Sequence, residues 1–108
     1  MKAAVYYETG GPEVFKYEDV DDPKCHPRGI IVDVEAVSIE GGDVLNRAGG
    51  ALRTHPHIVG YQAAGTISEV GSDVTDRVVG QRVCTSSGDG SHAEKRSVPV
   101  RASWVVPD

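Results

Sequence analysis

Polar and apolar positions alternate most regularly over residues 30–37, where Ile30, Val32, Val34 and Ala36 fall on one side and Asp33 and Glu35 on the other. A period of two with one apolar side predicts a strand with a single buried face. Shorter strand-like runs at residues 3–7 and 14–20 flank Thr9-Gly10-Gly11-Pro12, a turn signal that predicts an antiparallel hairpin or a close relative. Further strands are predicted at residues 64–70 and 78–84, at 92–98 after Ser86-Ser87-Gly88-Asp89-Gly90, and at 104–106. Residues 39–48, with Val44 and Leu45 beside Asn46 and Arg47, predict one short helix. Gly41-Gly42 weakens its first turn and Gly49-Gly50 stops it. Residues 21–29 and 51–62 read as loops. Six or seven short strands with one helix predict an all-β fold, a barrel or a sandwich.

Composition narrows the class. A chain of 108 residues is one domain by size and buries enough surface for a core without crosslinks. Cys25 and Cys84 are too few for a disulfide framework and are expected to be reduced. With 11 basic and 16 acidic residues, the net charge is −5 and the acidic residues are dispersed, which argues against a nucleic-acid partner. No apolar run reaches the ~18 residues of a membrane span. The N-terminus has no signal-peptide core, so the expectation is a cytoplasmic protein without a membrane partner.

Four histidines and two cysteines raise the question of a metal, but their spacing is poor for zinc. Cys25 and His26 are adjacent and point apart in an extended chain, and His55 and His57 flank Pro56 in a loop. The histidines are therefore expected to be exposed on loops, with no metal site. No P-loop, no G-x-G-x-x-G opening a helix and no nucleophile elbow is present, so a self-contained nucleotide site is not expected. Gly60, Gly65 and Gly71 would let the backbone turn sharply or approach another surface closely.

The spacing of those glycines, followed by Val74, resembles the zinc-alcohol-dehydrogenase signature G-H-E-x-x-G-x(5)-G-x-x-V of the medium-chain dehydrogenase/reductase superfamily, with Tyr61 and Gln62 in place of its His and Glu. The resemblance extends over almost the whole chain. Met1-Lys2-Ala3 with Gly10-Gly11-Pro12-Glu13-Val14 is similar to the opening of quinone oxidoreductases. Gly80-Gln81-Arg82-Val83 resembles the family's Gly-Asp-Arg-Val, and Gly90-Ser91-His92-Ala93-Glu94 with Val98-Pro99 resembles its Gly-Gly-Tyr-Ala-Glu and Val-Pro. The resemblance implies a GroES-like, partly open β-barrel with one short helix, the catalytic domain of such an enzyme.

In zinc-dependent relatives a Cys-x-Ser/Thr-Asp run supplies a metal thiolate and a relay hydroxyl. Here that run is Glu40-Gly41-Gly42-Asp43. The resemblance therefore implies the zinc-independent branch, in which hydride passes from NADPH to a quinone or another electrophilic carbonyl or enone. It implies Tyr61, Glu40 and Asp43 as catalytic residues and Arg47 as a cofactor-side residue, all lining one cleft. The same residues also admit a structural reading, in which Asp43 and Arg47 form an ion pair and Tyr61 is a rim aromatic. The family's Rossmann domain begins shortly after the position of Pro107, so this chain is expected to lack it, to be inactive alone, and to have that domain and a small-molecule substrate as partners. A homo-oligomer is left open. Two other readings stand beside this one: a non-catalytic GroES-like binding module, such as a co-chaperonin-like subunit, and a zinc-type alcohol dehydrogenase domain.

Overall fold

The computed structural model describes residues 1–107; Asp108, the last residue of the domain predicted above, lies outside them. The first turn signal does what its residues dictate. β1 (Lys2–Tyr6) and β2 (Lys16–Asp19) pair antiparallel, and the connection tightens into a 3₁₀ turn at Pro12–Val14, where the fixed φ of proline suits a first helical position. β4 (His57–Ile58) adds to the other edge of β1 and completes a three-stranded sheet.

The second sheet is built from β3 (Gly29–Ser38), β5 (Gln62–Val70), β6 (Arg82–Ser86), β7 (Lys95–Pro99) and β8 (Ser103–Val105), in the order β7-β3-β5-β6-β8 with every pair antiparallel. Its inner face carries Ile30, Val32, Ile67, Val83 and Val98, which pack as one buried cluster. Residues just before β7 stitch the sheets together: Ala4 N–H donates to the His92 carbonyl (2.9 Å), Glu94 N–H to Lys2 (3.0 Å) and Val34 N–H to Glu94 (2.8 Å). The result is a mainly β, GroES-like barrel, with α1 (Gly41–Gly49) leaving the end of β3.

Three expectations need correction. The alternation in β3 holds for Ile30 and Val32, yet Ile31 is also buried and Ala36 is exposed. A bulge accounts for Ala36, since Glu35 is an extra residue on β3 opposite Gly65 and Ala64; a second bulge, with Ser68 extra on β5 opposite Ile31 and Val32, shifts β5 instead. Each inserted residue shifts the side-chain parity by one. The strand predicted at residues 78–84 begins only at Arg82 and runs to Ser86. Val78 and Val79 stand exposed in a turn, which Gly80 makes with φ +96° and which the Gln81 side chain closes by accepting Val78 N–H (2.8 Å). Finally, the loop predicted at residues 51–62 contains β4, and His57 within it is 4% exposed, its ring 5.3 Å from that of Tyr6. Pairing with β1 draws the imidazole inside, so it is not a surface loop histidine.

The bulge at Glu35 brings β3 and β5 unusually close at Gly65, where any Cβ would run into the Asp33 carbonyl. Backbone cannot yield there as a side chain could. Gly65→Ala is therefore expected to lower stability by about 2 kcal/mol or more, read as a lower urea midpoint at unchanged slope; an unaltered midpoint would show that the two strands are free to separate.

Candidate active site

The site grows from the N-terminus of α1. Glu40 is its N-cap, and the Glu40 N–H donates to Asp43 Oδ2 (3.0 Å), the reciprocal bond of a capping box. Carboxylates at this end also interact favourably with the helix dipole. Asp43 is 3% exposed, and its Oδ1 has no hydrogen-bond partner. The glycine pair that weakens the first turn has a steric reason at Gly42: a Cβ there would lie 2.5 to 2.8 Å from Cε2, Cζ and the hydroxyl of Tyr61. Its absence lets the phenol lie against the helix, where the Asn46 side-chain amide donates to the Tyr61 hydroxyl (3.1 Å). The Ser38 hydroxyl reaches Glu40 Oε1 (3.5 Å) and Gln62 Oε1 (3.3 Å), which places Glu40 beside the strand that Tyr61 precedes.

Glu40, Asp43 and Tyr61 are thus brought together at one end of α1. Arg47 sits a turn further along. Its Nε donates to the Gly10 carbonyl (3.2 Å), Gly10 N–H donates back to the Arg47 carbonyl (2.9 Å), and the guanidinium lies 6.0 Å from the centre of the Phe15 ring. Arg47 therefore clasps the β1–β2 turn to the helix. Among the described residues Asp43 makes no ion pair with Arg47; its ionic neighbour is His92, with Nε2 3.8 Å from Oδ2.

Under Tyr61 lies a residue that the motif comparison passes over. Arg96 is 2% exposed. Its Nη1 donates to the Tyr61 carbonyl (2.8 Å) and to Thr85 Oγ1 (2.9 Å), and its Nη2 to the carbonyls of Asp89 (2.8 Å), Gly60 (3.4 Å) and Ser87 (3.4 Å). Burial pushes the guanidinium pKa down, against the pull of Asp89 and Asp43. The sequence did hold a signal for it. In β7 the positions alternate, and Arg96 shares its parity with Val98, which is buried. His92, Asn46 and Ser38 were also missed, since each is a single polar residue with no motif around it.

Residues 26–108 match the family described as the alcohol dehydrogenase GroES-like domain. Over 99% of its length the chain is 34% identical to a 2-haloacrylate reductase from a Burkholderia species, covering 34% of that protein. The structure superposes on a Pseudomonas syringae pv. tomato quinone oxidoreductase with a TM-score of 0.95 at 28% identity, covering 99% of this chain and 34% of that one. For an Escherichia coli quinone oxidoreductase complexed with NADPH the TM-score is 0.93 at 26% identity, with 99% and 33% covered. The chain spans about a third of the length of the curated relatives it matches.

Two outcomes follow from this geometry. Arg96→Met strands the carbonyls of Ser87 and Asp89, removes one of the two donors to the Tyr61 carbonyl, and should cost about 3 kcal/mol or more. Arg96→Lys should not restore it, since one ammonium cannot reach both sides of the fork; urea unfolding of the two variants measures this. His57 and His92 both have pKa values pushed below 6.5, chiefly by burial. Between those lowered values and 6.5 the unfolded chain binds more protons than the folded one, so stability falls as pH drops through that window. The urea midpoint should therefore decrease from about pH 7.5 to about pH 5.5, and a flat profile would contradict the burial of both rings.

Proposed function

The chain belongs to the GroES-like domain family of the alcohol dehydrogenases, within the medium-chain dehydrogenase/reductase superfamily, and from that premise we propose that it is the substrate-side domain of an NADPH-dependent, zinc-independent quinone oxidoreductase-like enzyme. The observation that carries this reading is the Tyr61 hydroxyl. It accepts a hydrogen bond from Asn46, which leaves its own proton free to be donated, against Gly42 in the first turn of the helix that Glu40 caps.

Zinc does not suit these residues. The donors gathered at the site are two carboxylates and a phenol, with Asp43 committed to capping the helix, and no group of three or more His, Cys, Asp or Glu side chains among the described residues is placed to hold a metal. One imidazole, His92, faces Asp43 Oδ2 at 3.8 Å, but no thiolate of the kind zinc favours stands at this end of α1. NADPH is a different matter. Its pyrophosphate finds no cradle at α1, which is opened by Glu40 and Asp43, carboxylates that repel a phosphate. We place the dinucleotide on a Rossmann domain packed against this cleft, with Arg47 as the cation on the cofactor side.

NADPH supplies the hydride, and the electron pair displaced from the carbonyl or enone moves onto the acceptor oxygen. The residues of this chain then have to bind, orient and protonate. Tyr61 donates its hydrogen bond to that oxygen as charge develops. The one proton that the reduced product retains is taken from solvent and delivered by way of Glu40, and Asp43 acts from below by fixing the Glu40 backbone. The exposed side chains of Val37 and Ile39, just before Glu40 in sequence, and of Leu45 on α1 offer apolar surface suited to a quinone or enone and to cover by a second domain. No helix among the described residues is long and apolar enough to cross a membrane, and we place the enzyme in the cytoplasm, with Cys25 and Cys84 as free thiols.

With the cofactor domain joined to the chain, Tyr61→Phe is expected to lower kcat for quinone or enone reduction on the order of 10²-fold with little change in KM. The chain alone should oxidise no NADPH. Full activity of the Phe variant, or turnover by the chain alone, would sink the assignment.

A further inference from the structure

His92 sits where two cavities meet. One, of about 350 Å³, opens between the two sheets and is walled by Ala3, Ala4, Val34 and Val37, with Lys2 and Glu94 at its rim. The other, of about 210 Å³, lies between α1 and β1 against Phe15, Val44 and Val59, with Asp43 and Arg47 on its wall. Ala4, Ile39 and His92 line both. A cavity of ~150 Å³ with apolar walls takes up benzene, so either space accommodates a substituted ring. Each carries one acidic and one basic side chain, which leaves no net charge to call for an ion.

The imidazole gives these apolar walls one polar feature. Nε2 is sealed from solvent and faces Asp43 Oδ2 at 3.8 Å. A carboxylate in that position draws the ring proton to Nε2, and the lone pair is then on Nδ1. That nitrogen makes no hydrogen bond to the protein and is not among the enclosed atoms. Burial favours the neutral ring, Arg96 adds to the effect and Asp43 opposes it. An acceptor open to water and to no protein donor, on a ring that lines both apolar cavities, selects an apolar molecule with a single donor.

We propose that the trough centred on His92 is a binding site for small phenols, with the ring against Ala4, Val34 and Val37 and the O–H donated to His92 Nδ1. It draws on neither Tyr61 nor Glu40, although it shares Asp43, Arg47, Val37 and Ile39 with the cleft described above.

The test is a titration of the ¹⁵N-labelled chain with phenol and, separately, with toluene, which matches the ring and lacks the donor. Phenol is expected to shift the amides of Ala4, Val34, Val37 and His92 and the His92 Nδ1 resonance saturably, with an affinity about tenfold above that of toluene. Equal affinity for the two, or shifts confined to other faces, overturns the proposal on the unaltered protein alone. His92→Asn, whose Oδ1 stands near the place of Nδ1, should retain the preference, and His92→Gln should lose it. A preference that survives His92→Gln, or one lost in both variants, overturns the assignment to Nδ1.

Discussion

A guanidinium buried without a carboxylate has to find its acceptors chiefly in the backbone, and Arg96 finds them in two stretches of chain that the antiparallel pairing of β5 with β6 lays side by side. One is Gly60-Tyr61, where the chain enters β5; the other runs from Thr85 to Asp89, where it leaves β6. Carbonyl dipoles there take the place of a counter-ion; those of Tyr61 and Gly60 also accept from Ser87 N–H (2.9 Å) and Ser91 N–H (3.3 Å), so it is the carbonyls of Ser87 and Asp89 that would be left unpaired if the cation were removed. Asp89 in turn pairs with Arg53 (3.1 Å), so the same hub reaches the segment before β4. The position of Tyr61 follows. Its carbonyl is pinned inward by Arg96, and its ring is left on the opposite side, over Gly42.

That arrangement gives the barrel a division of labour. The apolar cluster on the five-stranded sheet holds the strands in register, while the polar hub fixes the loops on either side of Tyr61. The two sheets touch through the segment that includes His92 and Glu94, just ahead of Arg96 in sequence. One short run of residues therefore closes the barrel, places an imidazole against Asp43 and anchors the Tyr61 backbone.

The elements were legible from local pattern wherever one residue type dominated. Hairpin, helix and long strand lie where alternation and glycine pairs put them. What escaped was anything decided by a neighbour distant in sequence. Val78 and Val79 have strand propensity, yet Gly80 turns the chain before they can pair. His57 sits between turn residues and is pulled inside by two bonds' worth of pairing with β1. At the site, the motif frame singled out Tyr61, Glu40 and Asp43, which the fold does gather, and Arg47, which it ties to Gly10. It gave no notice of Arg96 or Asn46, because a buried cation and a lone amide carry meaning only through what lies opposite them.

The contact between Gly42 and the Tyr61 ring has an evolutionary consequence. Helix position 42 and strand-entry position 61 share one volume, so position 42 can gain a side chain only after position 61 has given way. A lineage that acquires any side chain at 42 must first shrink the residue at 61, and one that keeps an aromatic at 61 is confined to glycine at 42. Paths between these states pass through paired replacements in a fixed order, and sequences on this scaffold should divide into two groups with few intermediates.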